Sequence, residues 1–125
     1  MAKIYLIDDK LLDHSGMSSN ELKQQLERFD FFNIYESHKS IEREENKLIC
    51  VMLHSSYSPL FAFDEIKKKC FERGILFIQF GGGETESDKI TDNYYIVNST
   101  VFFKKLRLFL SSYKEDHLLS PELFL

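Results

Sequence analysis

Short runs of consecutive apolar residues recur along the chain, separated by segments with helical or turn-like patterns. Four runs have the length and the β-branched and aromatic content of strands buried on both faces. They are Ile4–Ile7, Leu48–Leu53, Ile75–Phe80 and Tyr94–Val97. A shorter strand is predicted at Phe31–Tyr35, so the pattern predicts five strands in all.

Three segments between or after these strands have helical periodicity. Ser18–Asn20 supplies N-cap candidates for a helix whose apolar positions recur at i, i+4 and i+7 from Leu22. A second amphipathic helix is predicted over Leu60–Arg73, with Gly74 at the position of a C-cap. A third helix is predicted to begin at the capping sequence Asn98-Ser99-Thr100 and to run to about residue 113.

Alternating strands and helices predict an α/β domain with helices on both faces of a parallel sheet. For five strands we expect the flavodoxin-like order 2-1-3-4-5, in which functional side chains collect at the carboxyl ends of the strands. Asp8, Asp9, His54 and Gly81 occupy those ends. We predict one domain over residues 1–113, followed by an apolar tail over 114–125.

Composition narrows the possible partners. The chain has 125 residues, enough for a single core, and 20 acidic against 16 basic side chains. A net charge of −4 supplies no positive field for a nucleic acid. No apolar stretch approaches the 18 or so residues of a membrane span. Cys50 and Cys70 lie in apolar segments without metal-ligand spacing. We therefore expect a cytoplasmic protein with reduced thiols and with neither a nucleic-acid nor a membrane partner.

The strand that ends in Asp8-Asp9, and the strand Leu48–His54 with Pro59 beyond it, resemble the receiver domains of bacterial response regulators. This resemblance extends to about Tyr113. In that family the third strand ends in the aspartate that accepts a phosphoryl group, the fourth ends in Ser or Thr, and the fifth ends in Lys.

Here these three positions are His54, Gly81 and Asn98. Phosphoryl transfer to a carboxylate needs a metal ion and protein donors to offset the developing negative charge. The resemblance therefore implies a pseudo-receiver: a non-enzymatic signalling or interaction module with no required cofactor, whose partner is another protein or a second copy.

Two alternatives stay open. Asp8, Asp9 and His54 form a set that can bind a divalent metal such as Mg²⁺, in a metal-dependent enzyme or binder, or else form a local ion pair or helix cap. The strands Leu48–His54 and Ile75–Phe80 also resemble the caspase strands that carry the catalytic His and Cys. Because Gly81 stands at the Cys position, this resemblance implies an inactive protein.

The last helix has more apolar positions than one buried stripe requires. The excess predicts either a second core contact or an interaction surface, and the receiver resemblance places partner binding at this helix and the fifth strand. The residues of this predicted surface are Phe102, Phe103, Leu106, Leu108 and Phe109. A monomer is expected instead if the tail, Leu118–Leu125, folds back over them.

Overall fold

The computed structural model describes residues 3–8, 16, 18, 20–21, 47–55, 60–82 and 86–125. In these ranges the chain forms a five-stranded sheet with one long helix on each side. The strands are β1 (Lys3–Ile7), β2 (Leu48–His54), β3 (Leu76–Gly81), β4 (Asp88–Thr91) and β5 (Tyr94–Asn98). The helices are α1 (Leu60–Arg73), α2 (Ser99–Asp116) and a short 3₁₀ helix (Pro121–Phe124).

The order of strands across the sheet is β1-β2-β3-β5-β4. The first four of these strands are mutually parallel, and β4 pairs antiparallel with β5 at the edge. The predicted α/β class and the strands β1, β2, β3 and β5 are confirmed. The predicted strand order and wholly parallel pairing are wrong for this sheet, and the predicted strand Phe31–Tyr35 lies outside the described residues.

Strand β4 was not predicted because its sequence, Asp88-Lys89-Ile90-Thr91, has no apolar alternation. All four of its residues are exposed, so neither face of the strand needs the apolar positions that identify a buried strand. It enters the sheet through its hairpin with β5.

The two faces of the sheet have separate cores. On the α2 side, residues of β1, β2, β3 and β5 pack against buried positions of α2. On the α1 side, the alternate residues of the same strands pack against α1. The buried α1-side positions contributed by the helix are Phe63, Ile66 and Cys70, which recur at the i, i+3 and i+7 spacing of one helix face.

The helix ends have the predicted caps. Gly74 has φ +66°, a left-handed conformation that glycine adopts without a Cβ clash, and the Ile75 N–H donates to the Cys70 carbonyl at 2.9 Å. At the start of α2 the Asn98 side chain accepts from the Thr100 N–H at 2.9 Å. Ser18 Oγ accepts from the Glu21 N–H at 3.2 Å, as an N-cap does. The body of the predicted first helix, from Leu22 onward, lies outside the described residues.

The C-terminal tail folds back onto the domain. Helix α2 continues to Asp116, and the chain turns at His117 with φ 56°. Phe124 is fully buried. Its ring stacks on Phe102 at a centroid distance of 5.2 Å and lies 4.9 Å from Phe109. Residues 121–124 therefore belong to the same core as α2.

Two polar contacts join this tail to the sheet. The Tyr95 hydroxyl donates to Glu122 Oε1 at 2.8 Å. Lys89 Nζ lies 3.8 Å from the same carboxylate and 3.0 Å from Asp92 Oδ1. The 3₁₀ helix thus touches both strands of the hairpin.

In the described part of the chain, no helix combines the length and the apolar character that a bilayer crossing needs.

Candidate functional site

The carboxyl ends of the parallel strands bring the predicted polar positions to one edge of the sheet. Ile7 pairs with Leu53, so Asp8 and His54 follow at neighbouring positions. His54 pairs in turn with Phe80, and Gly81 with Asn98. These residues form the candidate site, which we call the carboxyl-edge site.

Beside the buried Cys and Tyr residues, Asp8 and His54 are buried polar residues of the described chain, at 0% and 6% exposure. Side chains alternate between the two faces along a strand. Ile7 and Leu53 point to the α1 side, so Asp8 and His54 point to the α2 side. The His54 ring stands edge-on to Phe80, with 5.2 Å between ring centroids and 86° between planes. The buried imidazole is therefore held by an aromatic contact within the core.

The Ser55 side chain lies beside Gly81. The Ser55 N–H donates to the Phe80 carbonyl at 2.7 Å, which holds Ser55 beside the end of β3. A Cβ built on Gly81 overlaps Ser55 Oγ. The volume that a side chain at residue 81 would fill is thus occupied by the hydroxyl of another residue, and Ser55 has to turn away before residue 81 can carry a side chain.

Asn98 has a structural role at the end of β5. Its side chain caps α2, and its own N–H donates to Ser87 Oγ at 3.2 Å. The position at which receiver domains carry a lysine therefore provides a helix cap here and supplies no positive charge.

The predicted metal ligands are placed only in part. Asp9 lies outside the described residues. Among the residues that are described, no group of three or more His, Cys, Asp or Glu side chains is arranged to hold a metal ion.

The thiols lie away from the carboxyl edge. Cys50 and Cys70 are both free and buried, one in the middle of β2 and the other in α1. Burial raises the pKa of Cys50 well above its usual value and that of Cys70 to about 12. Cys50 pairs with Leu76, at the end of β3 away from Gly81, and the Cys70 carbonyl accepts from the Ile75 N–H just before that same end. Neither thiol therefore replaces the nucleophile that the caspase resemblance lacks.

The five residues of the predicted interaction surface on the last helix differ in exposure. Phe102, Leu106 and Phe109 are fully buried, because the sheet and the returning tail cover them from two sides. Phe103 is half-buried, edge-on to Phe80 at 5.4 Å. Leu108 is 51% exposed and remains available on the outer side of α2.

Sequence reasoning also missed exposed apolar side chains elsewhere. Phe71 on α1 is 46% exposed, and Ile90 on the unpredicted strand β4 is 47% exposed. A signal for Phe71 exists: it follows directly after Cys70, whose spacing from Phe63 and Ile66 already defines the buried stripe of the helix.

No protein-family model and no curated protein matches the chain. Among solved structures it is similar to the solution NMR structure of a de novo designed Rossmann 2x3 fold protein, with 13% sequence identity and a TM-score of 0.60. The likeness covers 96% of this chain and 95% of the designed one. At this identity it concerns the fold alone. The chain has a Rossmann-like α/β fold.

Proposed function

We propose that this chain is a receiver-like domain without phosphoryl chemistry, which acts in the cytoplasm as a non-enzymatic signalling module by binding another protein or a second copy of itself. The arrangement at the carboxyl edge is the observation that carries the proposal. The fold brings together the strand ends at which phosphoryl chemistry takes place in receiver domains. At these ends His54 packs against Phe80, Ser55 fills the space beside Gly81, and Asn98 caps α2.

His54 supports the proposal through its burial. A phosphoryl donor has to reach its acceptor in line with the leaving group. The His54 residue is only 6% exposed and its ring packs against Phe80. An acceptor in this position would have to leave the core before it met a donor.

Gly81 and Asn98 support the proposal through what they cannot supply. Charge that develops on a transferring phosphoryl group is stabilised by pre-positioned donors and cations. Gly81 has no hydroxyl, and its neighbouring space is filled by Ser55. The Asn98 amide is committed to the N-cap of α2. Restoring the chemistry therefore requires changes at three strand ends together.

The test is incubation with acetyl phosphate and Mg²⁺, followed by intact mass measurement, beside a receiver domain known to be phosphorylated as the positive control. We expect the mass of this chain to stay unchanged while the control gains a phosphoryl group. A phosphoryl gain that Asp8→Asn or His54→Asn abolishes would contradict the proposal, because it would show a working acceptor site.

A further inference from the structure

The α1 side of strand β5 is only partly covered. Tyr94 and Ile96 point to this side, and Ile96 remains half-buried. Helix α1 packs over β3 and reaches β5 at Tyr94, where Phe71 approaches to 5.4 Å between ring centroids. Helix α2 covers β5 from the opposite side. The result is an apolar strip in which the half-exposed Phe71 and the half-buried Ile96 flank the buried ring of Tyr94. We call these three residues the open strip.

The connection between β3 and β5 explains why the strip is open. Two adjacent parallel strands are usually joined by a crossover helix that covers one face of the sheet. Here the chain leaves β3 at Gly81 and enters β4, which is antiparallel to β5 and begins at the same carboxyl edge. Among the described residues between β3 and β5, the chain forms the edge strand β4 and no helix.

Opposite charges line the two sides of the open strip. At the border next to helix α1, Lys67 Nζ lies over the rings of Tyr94 and Phe71, 4.7 Å and 5.8 Å from their centroids. On the β4 side, the exposed Asp88 pairs with Ile96 and so points to the same face of the sheet. The segment around Lys67 is mainly basic and the segment around Asp88 is mainly acidic. Residues 66–73 have four basic side chains against one acidic, and residues 86–93 have three acidic against one basic.

A surface with one charge sign on each side of an apolar centre is complementary to itself after a two-fold rotation. The rotation brings the basic side of each copy against the acidic side of the other. The pairing is isologous, so every attractive contact occurs twice.

The free edge of the sheet is a less suitable contact. Edge strands resist pairing when they are short, charged or bulged. Strand β4 has four residues, an irregular register between Lys89 and Thr91, and a lysine held by Asp92. A second copy therefore meets fewer obstacles on the open strip than along this edge.

We infer that the protein forms a two-fold symmetric dimer in which the open strips of two copies pack face to face, with Lys67 of each copy opposite Asp88 of the other. This inference rests on the proposed function as a binding module and names its partner and surface. The phosphorylation experiment does not depend on it, so either can fail without the other.

The decisive experiment uses charge reversal, measured by sedimentation velocity over a concentration series. Lys67→Glu puts two acidic groups opposite each other, and Asp88→Lys puts two basic groups opposite each other. We expect each variant alone to raise the dimer dissociation constant about tenfold or more, since two contacts change from attractive to repulsive. An equimolar mixture of the two variants restores every opposite-charge contact, so we expect it to form a dimer about as tight as the wild type.

Leu108→Glu is the matched control. It introduces a charge at an exposed position on the opposite side of the sheet, and we expect the dissociation constant to stay unchanged. Thermal unfolding of each variant separates loss of association from loss of fold.

Three results would overturn the inference. A wild-type chain that stays monomeric up to about 1 mM has no such interface. A dimer that neither charge reversal weakens, or whose mixed variants fail to recover, uses another surface. A dimer that Leu108→Glu dissociates uses the outer side of α2.

Discussion

The two sides of the sheet are closed to different extents, although the same strands supply both. On the α2 side, the rings of Phe80 and Phe102 stack at 3.9 Å with 2° between planes, and Phe124 from the tail completes the stack. On the α1 side, Phe63 and Phe77 meet edge-on at 5.7 Å, and Phe71 beyond them is half in solvent. The comparison shows that the covering of each side depends on which segment the chain places there. The C-terminal tail covers the α2 side, whereas the β4–β5 hairpin leaves part of the α1 side exposed.

The reactivity of the two thiols reports how well each side of the sheet is closed to solvent, because Cys50 belongs to the α2-side core and Cys70 to the α1-side core. Both are buried and both have raised pKa values, so we expect a thiol reagent at pH 8 to label each about a thousandfold more slowly than in denaturant. Reaction kinetics with and without denaturant measure this. Fast labelling of Cys70 alone would show that the α1 side opens independently.

Removing the ring of the tail is expected to have the largest effect on stability of any single change in this comparison. Phe124→Ala deletes a fully buried ring that touches Phe102 and Phe109. We expect a loss of about 3 kcal/mol or more in the free energy of unfolding, measured by urea denaturation. A loss near zero would mean that the tail lies on the surface and contributes little to the α2-side core.

Phe71→Ala is the counterpart on the other side. The ring is 46% exposed and touches Phe77 and Tyr94 at one edge, so we expect a loss of about 1 kcal/mol. The same denaturation experiment applies. If this loss equals that of Phe124→Ala, the two sides do not differ in the way their exposure suggests.

The smallest expected effect concerns the contact between the tail and β5. The hydrogen bond from Tyr95 lowers the pKa of Glu122. A lowered pKa stabilises the fold above the usual value of 4.5, and this contribution is lost as the pH falls and the carboxyl takes up a proton. Burial first, then the bond to Glu122, raises the pKa of Tyr95. That contribution is present below pH 10 and is lost as the pH rises through the raised value.

Tyr95→Phe removes both contributions. We expect the stability of the variant to differ from that of the wild type by a few tenths of a kcal/mol near pH 7 and by less below pH 4. Denaturation at several pH values measures the difference. A constant gap at all these pH values would show that the hydroxyl acts through packing and that its bond to Glu122 contributes nothing.

The sequence predicts the elements whose identity depends on local pattern. Buried parallel strands read as apolar runs, and both Gly74 and Asn98 signal helix ends through their own conformational preferences. The same logic assigns Asp8, His54 and Gly81 to one edge of the sheet. What depends on distant contacts is not readable in this way.

Three findings are of this second kind. Strand β4 exists because its hairpin pairs with β5. The aromatic residues of α2 are buried because a segment more than ten residues away returns over them. The Ser55 hydroxyl fills the space at Gly81 because the turn after β2 lies beside the last residue of β3. None of these leaves a periodic trace in the sequence, so an excess of apolar residues on a helix looks the same whether the missing cover is the chain itself or a partner.

The left-handed turn at His117 imposes a length on the chain that follows it. Helix α2 rises about 1.5 Å per residue, so its end lies about 10 Å beyond Phe109 and about 20 Å beyond Phe102. The returning segment has to cover much of that distance between His117 and Phe124. Its extended residues advance at most about 3.5 Å each, and the residues of its 3₁₀ turn about 2 Å each. The segment is therefore only slightly longer than the distance it spans. Inserting residues between 118 and 120 would leave the Phe124 ring in contact with Phe102 and Phe109, whereas deleting residues there would withdraw it from both.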